Sequence, residues 1–184
     1  MVKPSPMQKK TSESGRPILE AEFASLMQPF RTLKQSSTVA IAVSGGPDSM
    51  ALVRLAQVWA HHTSHTVVGL TVDHQLRDAS SGEACQVEAW FSELGLSHHT
   101  LIWAGGPSVS KMERSPQAEA RAARFNLMID WCHSNEVSAL MLGHHADDQV
   151  ETFFQRLIRG SGVNGLAAMS RESFRDGITI LRPL

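Results

Sequence analysis

AVSGGPDSMALV, residues 42–53, decides how this chain is read. An apolar run from Val39 to Val43 leads into it, and a helical pattern starts at Asp48. Two glycines, a proline and an acid stand at the junction. Gly45 and Gly46 let the backbone turn sharply and bring N–H groups close to an anion. The helix behind them aims the positive end of its dipole at the same place. Ser44 and Ser49 add hydroxyls, and together these residues predict a phosphate cradle. No lysine follows, so this is not a GxxxxGK[ST] loop. Asp48 conflicts with bare phosphate, because a carboxylate repels it. Either Asp48 caps the helix, with Pro47 fixing the turn, or its carboxylate shares a magnesium ion with substrate phosphates.

Outward from this junction, strands and helices alternate. Residues 17–33 carry apolar positions at helical spacing, and residues 48–61 form a helix that is apolar on most sides. Strands are expected at 66–74, 99–103 and 139–145, with a last one in GITILRPL, residues 177–184. Helices are expected at 83–94, closed by Gly95, and at 117–134 and 146–159. Apolar strands separated by helices predict an α/β fold, a doubly wound, mostly parallel sheet with helices on both faces. Right-handed crossovers gather the strands' C-terminal ends on one edge, where such folds bind ligands. Ser44–Ser49, Asp73-His74 and His144-His145 all fall on that edge.

Composition narrows the class. The chain has 184 residues, 42% hydrophobic, enough for one domain with a core. No apolar run is long enough to span a bilayer. Residues 1–16 are polar, lack a secretory signal and are expected to be a disordered tail. Cys85 and Cys132 form no CxxC pair and are expected to be reduced, mostly buried thiols of a cytoplasmic protein. Net charge is −1, without the basic excess of most nucleic-acid binders. Any grip on nucleic acid must therefore come from a local patch or another segment.

SGGPDS, residues 44–49, resembles the SGGxDS pyrophosphate-binding loop of the N-type ATP pyrophosphatases, the PP-loop family. Further stretches are similar to one branch, the tRNA(Ile)-lysidine synthetases. TVDHQLR (71–77) resembles their VDHxLR, and QAEARAARF (117–125) their QxxARxxRY, with Phe125 for tyrosine. LGHHADDQVETFFQRLIRGSGVNGLAAM (142–169) resembles their LxHHxDDQxETxxxRLxRGSGxxGLxxM, and LRPL (181–184) their RPL strand. The matches run in the family's order from Val39 to Leu184. Thiolases of the group usually carry paired cysteines, and here the cysteines are single.

The resemblance implies a chemistry. ATP and Mg2+ would sit on Ser44, Gly45, Gly46, Pro47, Asp48 and Ser49, with Asp73, His74 and His144 near the nucleotide. Asp48 and Asp148 would hold the metal, and Arg121 would neutralise phosphate charge. Asp148 and Glu151 stand one turn apart with two roles open, magnesium or the ammonium of lysine. The wobble cytidine of tRNA(Ile) with a CAU anticodon would be adenylated and then take free L-lysine, changing decoding from AUG to AUA. A homodimer falls within what the resemblance allows. Family members continue past RPL through W-x-E-D-x-S-N and R-N segments to C-terminal domains. The expected organisation is therefore a tail at 1–16 and a catalytic domain at 17–184, truncated at its C-terminus. The alternatives are another ATP pyrophosphatase (a tRNA thiolase or an amidating ligase) or a module that holds ATP without turnover.

From the residues alone, Gln117, Arg121 and Arg124 share one face of the 117–134 helix. Ala118, Ala122, Phe125 and Ile129 line the neighbouring, core face. Asp147, Asp148 and Glu151 crowd a helix start, where acids also serve the dipole. The histidines outside the motifs, including His98 and His99, read as surface and loop residues.

Overall fold

The computed structural model describes residues 17–30, 33, 36–73, 78–103, 116–143 and 170–184, with side chains described outside 78–81 and 116–120. The tail at 1–16, the helix expected at 146–159, and His74, His144, His145, Asp147, Asp148 and Glu151 lie outside these residues. The elements in chain order are α1 (Glu20–Met27), β1 (Thr38–Ala42), α2 (Pro47–Thr63), β2 (Thr66–Asp73) and α3 (Asp78–Glu93). They continue with β3 (Ser97–Ile102), α4 (Pro116–Ser134), β4 (Ala139–Leu142), β5 (Glu172–Arg175) and β6 (Ile178–Leu181).

Six strands form one sheet in the order β3-β2-β1-β4-β6-β5. All neighbours are parallel except β5 and β6, as expected for a mostly parallel sheet. The register sets Ile41 between Gly69 of β2 and Met141 of β4. From β1 the chain steps outward to β2 and β3, then crosses back to β4 on the other side of β1. Right-handed crossovers in opposite directions must place their helices on opposite faces. The core follows suit. Val39, Ile41, Leu52, Val53, Val87 and Phe91 pack α1, α2 and α3 on one face. Ala40, Leu70, Met128, Ile129, Cys132 and Leu140 pack α4 on the other. Full burial of each large apolar side chain is worth about 1.5–3 kcal/mol.

The central strands β1, β4 and β6 are buried over most of their length, as strands inside a parallel sheet are. Edge strand β3 departs from that pattern: most of it is exposed, Ile102 to 57%. The first helix is shorter than expected, ending at Met27 because Pro29 bars the next residues from a helix. Conversely, α3 begins five residues earlier than its apolar spacing suggested. Gly95 closes that helix with φ +66°, as read from the sequence. In α4 the deep face is Met128, Ile129 and Cys132, while Ala122 and Phe125 are only half-buried.

Three sequence expectations need correction. His98 is no loop residue: it lies on β3, half-buried against the Phe91 ring, its Nε2 2.8 Å from Thr71 Oγ1. Burial, more than its charged neighbours, lowers its pKa. Cys85 is exposed on α3, and only Cys132 is buried. The single final strand is the second arm of a hairpin, β5–β6.

Candidate functional site

A doubly wound sheet opens a crevice where its strand order reverses. Here that point lies between the C-terminal ends of β1 and β4, and the 44–49 loop emerges there. Gly45 turns the chain at φ +79°, a conformation that only glycine adopts without strain. Gly46 caps α2 and Pro47 holds its first position. The cap reading of Asp48 is thus corrected: Asp48 stands one residue further in, exposed in the first turn. Met50 N–H donates the first intrahelical bond to Gly46 O, so the positive end of the dipole faces the crevice.

Ser49 braces this loop. Its side chain is buried and donates to Gly46 O at 2.9 Å. Its Oγ also accepts from Ser44 N–H and from Ser44 Oγ, each at 3.3 Å. Gly46 N–H in turn approaches Ser44 Oγ at 3.4 Å. The loop is therefore shaped by its own hydroxyls before any ligand arrives.

A cavity of about 230 Å3 sits on the loop. Ser44, Gly46, Asp48 and Ser49 line one side, Arg124, Phe125 and Met128 of α4 another, and Leu142 and Gly143 a third. A phosphate here would meet the helix N-terminus, the loop N–H groups and a guanidinium. Burial, and then the nearby Arg121, lowers the Arg124 pKa, and a bound anion would relieve both effects. Asp48 shares the cavity, where one carboxylate beside phosphates suits a magnesium ion. Among the described residues no cluster of three His, Cys, Asp or Glu forms a metal site.

Not every expected residue meets there. Gly45 and Pro47 line a separate depression with Met50, Trp90 and Leu94. Asp73 is buried at the end of β2, on the same sheet edge. Arg121 lines the groove next to the cavity, and Arg124, one turn on, lines the cavity itself. Gly143 was also missed, although a glycine closing an apolar strand at the crevice is a legible signal.

A sequence profile described as the PP-loop domain matches residues 16–184. The chain belongs to the PP-loop family. ATP use goes with this family. The tRNA(Ile)-lysidine synthase of Bradyrhizobium diazoefficiens is 44% identical over 178 residues, 95% of this chain and 47% of that one. That of Wolbachia pipientis wMel is 42% identical over 151 residues, 81% of this chain and 34% of that one. The chain thus spans about half or less of the length of these curated relatives. Among solved structures, the U34-tRNA thiolase NcsA from Methanococcus maripaludis, with its [4Fe-4S] cluster, superposes with a TM-score of 0.72. It is 17% identical, and the match covers 89% of this chain and 58% of that one, which supports the PP-loop fold. No described helix is long and apolar enough to cross a membrane.

Proposed function

We propose that this chain is the ATP-binding, adenylating part of a tRNA(Ile)-lysidine synthase. The observation that carries the reading is the joining, in one cavity, of the PP-loop, Asp48 and Arg124 at the switch point. The relatives' names direct it to tRNA(Ile) rather than to another acceptor.

In this reading ATP lies with its phosphates on Ser44, Gly46 and the α2 N-terminus. The 2-carbonyl oxygen of the wobble cytidine attacks the α-phosphorus, and pyrophosphate leaves as the bond to it breaks. Arg124 in the cavity and Arg121 at its edge stabilise the charge that builds on the phosphates. Asp48 would hold a magnesium ion, with Asp148 as the second carboxylate. That ion would supply electrostatic stabilisation of the leaving pyrophosphate. Asp73, His74 and His144 border the nucleotide. The uncharged ε-amine of free L-lysine then attacks the activated carbon and displaces AMP, with Glu151 or Asp148 holding the amine. A homodimer in the cytoplasm is the proposed setting.

Cysteine usage disfavours a thiolase that resembles the structural neighbour. A [4Fe-4S] cluster is held by several thiolates, whereas this chain has two cysteines, one of them in the core.

Release of pyrophosphate and AMP from ATP·Mg tests the proposal, measured with and without unmodified tRNA(Ile) and lysine. Pyrophosphate release that needs tRNA(Ile), followed by AMP release that needs lysine, is expected. AMP release driven by ammonia or a sulfur donor, and indifferent to lysine, would rule the reading out.

A further inference from the structure

Between the N-terminal half of α4 and the β5–β6 hairpin lies a second groove of about 440 Å3. Arg121 of α4, Arg175 of β5 and Arg182, just after β6, line it over Phe125, Ser173 and Ile180. Phe125 also lines the PP-loop cavity, so the two spaces share a wall.

Two of these arginines are held in place. Arg182 Nη1 donates to Ser170 O and to Ser173 Oγ, each at 3.0 Å. Its Nε is buried and has no hydrogen-bond partner among the described residues. Arg175 donates to Asn126 Oδ1 at 3.0 Å and lies 5.3 Å from the centre of the Phe125 ring. No acidic side chain lines the groove among the described residues. Asp176, on the hairpin turn, stands 3.6 Å from Arg175 Nε, but both side chains are exposed, and such a pair neutralises little. Burial and then Arg121 lower the Arg182 pKa, as they do for Arg124. Like charges fixed this closely favour an anion between them.

We infer that this groove seats a backbone phosphate of an RNA chain whose neighbouring nucleotide enters the PP-loop cavity. The phosphates of ATP already have Arg124 and the α2 N-terminus on their side of Phe125. Beyond that wall, the next phosphate in reach belongs to the polynucleotide. A chain of net charge −1 needs such a local patch to hold RNA at all. The inference rests on the proposed function for the identity of the RNA, and on the groove itself for its anion chemistry.

The test is fluorescence anisotropy of a labelled tRNA(Ile) anticodon stem-loop with this chain, titrated with salt from low ionic strength. ATP affinity is measured in parallel. Arg175→Gln and Arg182→Gln should each weaken RNA binding severalfold and leave ATP affinity unchanged. Removing one cation from a phosphate of single-stranded RNA lowers the log–log salt slope by about 0.7. Because Arg182 also ties the hairpin, Arg182→Lys serves as its control and should keep most of the slope. No RNA binding by the wild type at low salt, unchanged slopes in both variants, or an equal loss of ATP affinity would each overturn the assignment. Arginine-dependent RNA binding without tRNA-dependent pyrophosphate release and lysine-dependent AMP release would sink the proposed function and leave the groove assignment standing.

Discussion

Gly143 at the end of β4 lies against Ser49 in the first turn of α2 so closely that a β-carbon on Gly143 would stand 3.2 Å from Ser49 Cα and 3.3 Å from Ser49 N. Both neighbours are backbone atoms, which cannot swing aside as a side chain can. Ser49 is the residue whose hydroxyl ties Gly46 and Ser44 together. Gly143→Ala is therefore expected to push the start of α2 outward and distort the loop. The stability cost of such overpacking is about 1–3 kcal/mol. ATP affinity, read by calorimetry, should fall severalfold at a temperature where the variant is fully folded. Unchanged ATP affinity would mean that the loop does not depend on this close approach.

Asp48 offers a test whose sign depends on magnesium. It is exposed in the first turn of α2, where dipole compensation contributes about 0.3–1 kcal/mol. Asp48→Asn should thus cost little stability. Even an outer-shell partner of a metal is worth about 10–100-fold in affinity, so with Mg2+ present ATP binding should weaken by about tenfold or more. Without Mg2+ the order should reverse, because removing a carboxylate removes its repulsion of the phosphates. Equal losses with and without the cation would show that Asp48 does not act through a metal.

The parts of this molecule legible in its sequence are those fixed by local pattern. Apolar runs gave away β1, β2 and β4, because strands covered on both faces have no polar side to show. The 44–49 loop was legible because its chemistry is contiguous. The β5–β6 hairpin was not recognised, although Asp176-Gly177 carries the signal. Both residues have positive φ, +49° and +79°, as a two-residue hairpin turn requires. The polar edge strand before the turn hid it. Which arginine meets the loop was illegible for another reason. Arg121 and Arg124 share one helix face, and only the packing of α4 on the sheet aims Arg124 at the cavity.

Gly69 gives a stability prediction independent of ATP. It lies on β2 under Phe91 of α3, and a β-carbon there would come within 2.4 Å of the Phe91 ring. Phe91 is 1% exposed and has no room to retreat. Gly69→Ala should destabilise the chain by about 1–3 kcal/mol or more. For a protein of this length each kcal/mol lowers Tm by about 2–4 °C. Phe91→Leu alone should also destabilise, but the double variant should be more stable than the sum of the two losses predicts, because leucine yields the space that alanine needs. Strict additivity in thermal melts would refute the packing of Gly69 against Phe91.

The two cysteines should differ sharply in reactivity. Cys132 is 0% exposed in the α4 core, and burial pushes its thiol up to about 12. Cys85 is exposed on α3. A disulfide reagent at neutral pH should modify one thiol per native chain and two in denaturant, since the thiolate is the reactive species. The same burial sets an alkaline limit on the fold. An unfolded cysteine ionises near pH 8.5, so above that pH the unfolded chain gives up a proton that the folded chain keeps. Stability from this group is complete below about pH 8.5 and declines as pH rises toward 12. Cys132→Ala should flatten that part of the decline in urea melts taken across alkaline pH. Two thiols reacting at equal rates in the native protein, or an unaltered slope in the variant, would show that Cys132 is not sealed in the core.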